Sequence, residues 1–231
     1  MKAIITGGAG FIGSHLVDYL VKCGHHVSVL DNFSTGRHEN LSHVLKSIEL
    51  IECDLGSAGN WADTFVGVDW VFHLAALADI VPSIQEPEAY FRSNVDGTFN
   101  VLRACQMAKV GRLIYAASSS SYGIPDVYPT PETAEIRPQY PYALTKYLGE
   151  TMIISPTLGF IIGMIGWIVI IWEIFGGEAS QAANSNEAIK TAFNALRELL
   201  KINNNIIFVK IGGKSDLSKF KDLKNKVYDL P

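Results

Sequence analysis

The string Thr6-Gly7-Gly8-Ala9-Gly10-Phe11-Ile12-Gly13 constrains this chain more than any other feature. It follows a short apolar run, residues 3–6, and opens a stretch, 14–22, with helical spacing. Gly7 permits the tight turn from strand to helix, Gly10 lets the backbone approach a pyrophosphate, and Gly13 lets the helix pack against the strand. The N–H groups and dipole at the start of the helix then face an anion. The strand–turn–helix context separates such a turn from a merely glycine-rich one.

The same alternation continues. Apolar runs at 27–30, 48–51, 70–74 and 112–117 read as buried strands, and 94–108 reads as a helix. Strands alternating with helices predict an α/β fold, a Rossmann-like doubly wound parallel sheet with right-handed crossovers. This pattern holds over 1–150, a dinucleotide-binding domain.

The texture then changes. No charged residue occurs from Thr151 to Trp172. A run this long meets the length of a membrane-spanning helix, about 18 or more apolar residues. The expectation is a hydrophobic, transmembrane-like helix over 151–175, starting near Pro156, with membrane association through 151–172; the other reading is a buried core helix. Residues 176–231 read as a polar linker (176–186), an amphipathic helix (186–200), a short strand (206–211) and a Lys-rich tail (214–226).

The net charge of −4 gives no general attraction to nucleic acid or to an anionic membrane, so a dinucleotide has to be held by local geometry. The three cysteines, Cys23, Cys53 and Cys105, are too scattered for a disulfide framework or a metal site, and read as reduced, mostly buried thiols suited to the cytoplasm. The five residues Ala3-Ile4-Ile5-Thr6-Gly7 after Met1-Lys2 are too short for the apolar region of a signal peptide, so secretion is not expected. His25, His26 and His73 have no metal-ligand partner at useful spacing and read as structural.

Asp31 ends the second strand, where a carboxylate accepts hydrogen bonds from the adenosine ribose and repels a 2′-phosphate; NAD is therefore expected over NADP. Arg37, a few residues on, could soften that choice. Asp54, after the third strand, reads either as a contact to the adenine edge or as a turn acceptor. Leu74, Ala75 and Ala76 end the fourth strand with small residues that leave room for the cofactor. The expected cofactor-facing set is Gly7, Gly10, Phe11, Ile12, Gly13, Asp31, Asn32, Asp54, Leu55, Leu74, Ala75, Ala76, Asn94, Tyr142 and Lys146. Strand five runs into Ser118, and Tyr142 and Lys146 stand four apart on one helix face. An ammonium beside a phenol favours the phenolate, which makes Tyr142 a candidate general base with Ser118 beside it.

These residues, with Asn94-Val95-Asp96-Gly97-Thr98, Ala117-Ser118-Ser119-Ser120-Ser121-Tyr122-Gly123 and Pro141-Tyr142-Ala143-Leu144-Thr145-Lys146, resemble the NAD-dependent epimerase/dehydratase family, the extended short-chain dehydrogenases. The resemblance implies that Ser118, Tyr142 and Lys146 are catalytic, that Lys146 also binds the nicotinamide ribose, and that Asn94 ties the sheet together. Dehydratases of the family carry an Asp-Glu pair after the serine and decarboxylases a Glu; Ser119 and Ser120 stand here instead. That implies 4-epimerisation of a UDP-sugar: oxidation at C4 by NAD, rotation of the keto sugar and return of hydride. A homodimer is implied as well. An NAD-binding half without turnover is the second reading, a membrane-anchored fragment the third. The resemblance is traced to Glu150. Beyond it, residues 159–197 resemble part of a microbial rhodopsin, so two origins stand for the C-terminal part: a chimera, or a divergent epimerase C-terminus.

Overall fold

The computed structural model describes residues 1–154, apart from Pro129 and Glu132, and the backbone of two further strands, Trp167–Ile171 and Ile206–Val209. The strands are β1 (Lys2–Thr6), β2 (His26–Asp31), β3 (Ile48–Glu52), β4 (Trp70–His73), β5 (Arg112–Ala116), β6 (Trp167–Ile171) and β7 (Ile206–Val209). They form one sheet in the order β3-β2-β1-β4-β5-β6-β7, every pair parallel. The helices are α1 (Phe11–Lys22), α2 (Ile80–Gln85), α3 (Pro87–Phe91), α4 (Gly97–Ala108) and α5 (Pro141–Ile154); a π-helical turn, Arg92–Asp96, leads into α4. The expected doubly wound parallel sheet is thus present.

Neighbouring residues of the central strands point to opposite faces, and both faces are covered. Ile4, Val71 and Leu113 join one cluster with Phe65, Leu102 and Ile153. Ile5, Phe72 and Ile114 join the other with Leu16, Val17 and Leu20. This double burial is why the strands read as continuous apolar runs rather than alternating ones. Each such side chain contributes roughly 1.5–3 kcal/mol. The strand order reverses between β1 and β4, and a crevice opens there beyond the carboxyl ends of the strands.

The expected long helix over 151–175 is corrected in two places. Thr151–Ile154 complete α5, and Trp167–Ile171 form β6, which lies in register beside β5 from Arg112↔Trp167 to Ala116↔Ile171. A run rich in β-branched residues suits a strand better than a helix. β7 pairs with β6 from Ile168↔Ile206 to Ile171↔Val209, as the short strand expected there requires. Among the described residues no helix is long and apolar enough to cross a membrane. The expected linker, amphipathic helix and Lys-rich tail lie outside the described residues, as does the rest of 159–197. The thiols also differ from expectation: Cys105 is buried and Cys53 half-buried, but Cys23 is exposed.

Candidate active site

The glycine turn is built as its spacing predicts. Gly7 has φ +69°, and a Cβ there would lie 2.7 Å from the Ala75 backbone nitrogen. A Cβ on Gly13 would collide with the Gly7 carbonyl and lie 2.7 Å from Gly8 Cα. At Gly10 a Cβ would meet nothing nearer than the Gly7 carbonyl at 3.2 Å, so the backbone is open at that point. Gly10 also caps α1, with no side-chain cap bond and no acidic residue in the first turn. The uncapped N-terminal N–H groups form a cradle suited to a phosphate.

A cleft of about 320 Å³ opens over this turn. Of the expected cofactor-facing residues, Gly7, Gly10, Phe11, Ile12, Gly13, Asp31, Asn32, Asp54, Leu55, Leu74, Ala75 and Ala76 line it; Asn94, Tyr142 and Lys146 do not. Sequence reasoning missed Ser34, Thr35, Gly56, Leu77, Ser93 and Ala116 among the residues that complete the walls. They sit in loops and at element ends with no motif to mark them.

Asp31 is buried at the end of β2. Its Oδ2 accepts from Ala9 N at 2.9 Å and its Oδ1 from Phe33 N at 2.9 Å, which fixes the carboxylate against the glycine turn. Phe33 takes φ +56°, a strained conformation for a bulky residue, held in part by that bond and by stacking on His38 at 3.7 Å. Arg37 is exposed. Asp54 accepts within a turn, its Oδ1 taking Gly56 N at 2.8 Å, while its Oδ2 pairs with Arg92 Nη2 at 2.6 Å; it also lines the cleft. Beside it, burial and the Asp31 and Asp54 carboxylates push the Cys53 thiol up to about 11, so this half-buried cysteine is an unreactive wall.

The three candidate catalytic residues come together beyond the end of β5. Ser118 and Tyr142 are both buried, and the Tyr142 hydroxyl donates to Ser118 Oγ at 3.3 Å. Lys146 is buried one helical turn further along α5, its Nζ 4.3 Å from the centroid of the Tyr115 ring. A cation over an aromatic face recovers part of the desolvation that burial costs. Tyr115 reaches α5 closely enough for its hydroxyl to donate to Lys146 O at 3.3 Å, and Gly149 makes room for it. Burial, first, and then Glu150 and Tyr142 raise the Tyr115 phenol well above its ordinary range, so it stays protonated beside the site. The side-chain bonds of Asn94 join the loop after β4 to α5 rather than strands of the sheet: its Oδ1 accepts Leu77 N at 2.8 Å, and its Nδ2 donates to Leu77 O and to Thr145 Oγ1, each at 3.0 Å. His73 is buried and hydrogen-bonded at both ring nitrogens.

Comparison with known proteins agrees with this architecture. The UDP-glucose 4-epimerase of Mycolicibacterium smegmatis is 39% identical over 156 residues, 65% of this chain and 49% of that protein. The UDP-glucuronic acid decarboxylase 1 of Xenopus tropicalis is 38% identical over 159 residues, 65% of this chain and 36% of that protein. The crystal structure of UDP-glucose 4-epimerase from Brucella ovis in complex with NAD superposes with a TM-score of 0.66 at 30% identity, covering 74% of this chain and 51% of that one. The chain therefore spans about half the length, or less, of these curated relatives. The sequence model of the NAD dependent epimerase/dehydratase family matches residues 3–208, so the likeness runs past Glu150, through β6 and into β7. On the glycine turn, the sheet order and this match, the chain belongs to the NAD-dependent epimerase/dehydratase family.

Proposed function

We propose that the chain acts in the 4-epimerisation of a UDP-sugar, with NAD held over the glycine turn. The observation that carries this reading is the buried hydrogen bond from Tyr142 to Ser118, one helical turn from Lys146 and at the end of the strand whose Ala116 lines the cleft.

The residues present fit the dinucleotide. The open backbone at Gly10 and the uncapped start of α1 would hold the pyrophosphate, and Asp31 would accept from the adenosine ribose hydroxyls. NAD bound there supplies a hydride acceptor and donor at C4 of the sugar. Tyr142 takes the proton from the C4 hydroxyl as that carbon is oxidised and returns it when the carbon is reduced on the other face. Ser118, already within reach of the phenol, orients the sugar hydroxyl. Lys146 favours the phenolate electrostatically. No carboxylate follows Ser118; Ser119 and Ser120 follow, and Ser120 N donates to Ser118 Oγ at 3.3 Å. Water elimination needs an extra acid and base, so this favours epimerisation over dehydration or decarboxylation.

The test is calorimetric titration of the full chain with NAD, followed by an assay of UDP-glucose and UDP-galactose interconversion in wild type and Tyr142→Phe. Interconversion that is lost in the variant supports the reading. NAD binding without interconversion of either sugar leaves an NAD-binding half and overturns the epimerase assignment. Wild-type turnover retained in Tyr142→Phe overturns the base.

A further inference from the structure

His73 sits at the end of β4, fully covered, with threonine hydroxyls at opposite ends of its ring. Nδ1 lies 2.7 Å from Thr6 Oγ1 and Nε2 lies 3.0 Å from Thr98 Oγ1. The direction of these bonds follows from the neighbours. Thr98 has one hydroxyl proton, and it goes to Asn94 O at 2.6 Å. Nε2 must therefore donate to Thr98, which leaves Nδ1 as the acceptor of the Thr6 proton. Thr6 Oγ1 in turn accepts Ala75 N at 3.3 Å.

Both ends of this strut reach the site. Thr6 directly precedes Gly7, and Ala75 lines the cleft. On the far side Asn94 holds Thr145, and Thr145 Oγ1 donates to Tyr142 O at 2.8 Å. Elements far apart in sequence are thus joined through one rigid ring: the dinucleotide turn at one end, the helix bearing Tyr142 and Lys146 at the other. We propose that His73, locked as the neutral Nε2–H tautomer, is a positioning residue that sets the spacing between the NAD cradle and the Ser118–Tyr142 pair. The inference rests on the dinucleotide reading above.

Two substitutions cut the strut at opposite ends. In His73→Asn the amide oxygen stands near the Nδ1 position and keeps the Thr6 bond but not the Thr98 bond. In His73→Gln the amide nitrogen stands near the Nε2 position and does the reverse. The readouts on the full chain are the NAD dissociation constant and the ultraviolet titration of Tyr142, taken as the difference from the matching Tyr142→Phe protein. For His73→Gln we expect NAD binding about tenfold weaker, the loss of one buried hydrogen bond, with the Tyr142 midpoint unmoved. For His73→Asn we expect NAD affinity within about twofold of wild type and a Tyr142 midpoint displaced by roughly half a pH unit or more. Thr6→Val removes the Nδ1 bond together with the one from Ala75 N, and Thr98→Val removes the Nε2 bond together with those to Asn94 O and the Tyr115 phenol; each should shift its own readout in the same direction as the Gln and Asn variants respectively, even if a His73 variant folds poorly.

The crossed pattern is what a purely structural role does not produce. Both readouts moving together with the melting temperature, or neither moving, overturns the proposal. If wild type does not bind NAD at all, the dinucleotide reading fails. The Tyr142 titrations in the Asn and Gln variants then decide the coupling on their own.

Discussion

Acid should unfold this protein earlier than its carboxylates alone would require, and His73 is the reason. Burial, and secondarily the Lys146 charge, push its imidazole down from 6.5 to about 3. The unfolded chain takes up that proton near pH 6.5, whereas the folded chain refuses it until about pH 3. Between those limits the unfolded state holds more protons, so stability rises with pH. The loss on acidification begins below about pH 6.5 and is complete near pH 3. At pH 5 the unfolded histidine is almost fully protonated and the folded one is not. At 1.36 kcal/mol per pH unit this amounts to about 2 kcal/mol lost between pH 7 and pH 5. With a urea slope of about 2 kcal/mol per molar, the unfolding midpoint falls by about 1 M. The assay is urea unfolding of wild type and His73→Gln at pH 7 and pH 5. Because the variant cannot titrate at this position, the difference between the two pH slopes isolates His73 from the other five histidines. Equal slopes in the two proteins would refute the argument, since they would mean that His73 accepts a proton in the fold as readily as out of it.

Three further outcomes follow from the site. Asp31 should make NAD bind on the order of a hundredfold better than NADP, since like charges about 4 Å apart cost up to about 4 kcal/mol near a protein surface; titrating both cofactors checks it, and Asp31→Ala should erase most of the preference. Tyr142→Phe should keep NAD affinity and lose sugar oxidation, whereas Lys146→Ala should weaken both, as steady-state kinetics beside calorimetry would show. Gly13→Ala should destabilise the fold by about 1–3 kcal/mol and weaken NAD binding, because its Cβ would press on the Gly7 carbonyl and Gly8 backbone rather than on a movable side chain; thermal melting with and without NAD measures both effects.

What could be read from the sequence was local, and what could not was assembled by topology. Residues 7–13 carry their geometry in their own spacing, and Tyr142 and Lys146 share a helix face by theirs. Asp31 marks the end of a run whose length is visible. Trp167–Ile171 show the opposite case. A strand inside a parallel sheet need not alternate, and with uncharged residues on either side of it in the sequence this one reads as part of one long helix. The signal that could have separated them was side-chain shape: Ile168, Val169, Ile170 and Ile171 are all β-branched, which favours a strand. His73 is harder still. Its partners stand at positions 6 and 98, and the relay ends at 145, so no window of sequence contains it. Only when β1 and β4 pair through Thr6↔His73 do the two side chains become neighbours. A lone histidine on an apolar strand is more often satisfied than catalytic, and here it is satisfied. The consequence of satisfying it with two threonines, one beside the cradle and one tied to the catalytic helix, is that the fold cannot shift one without the other.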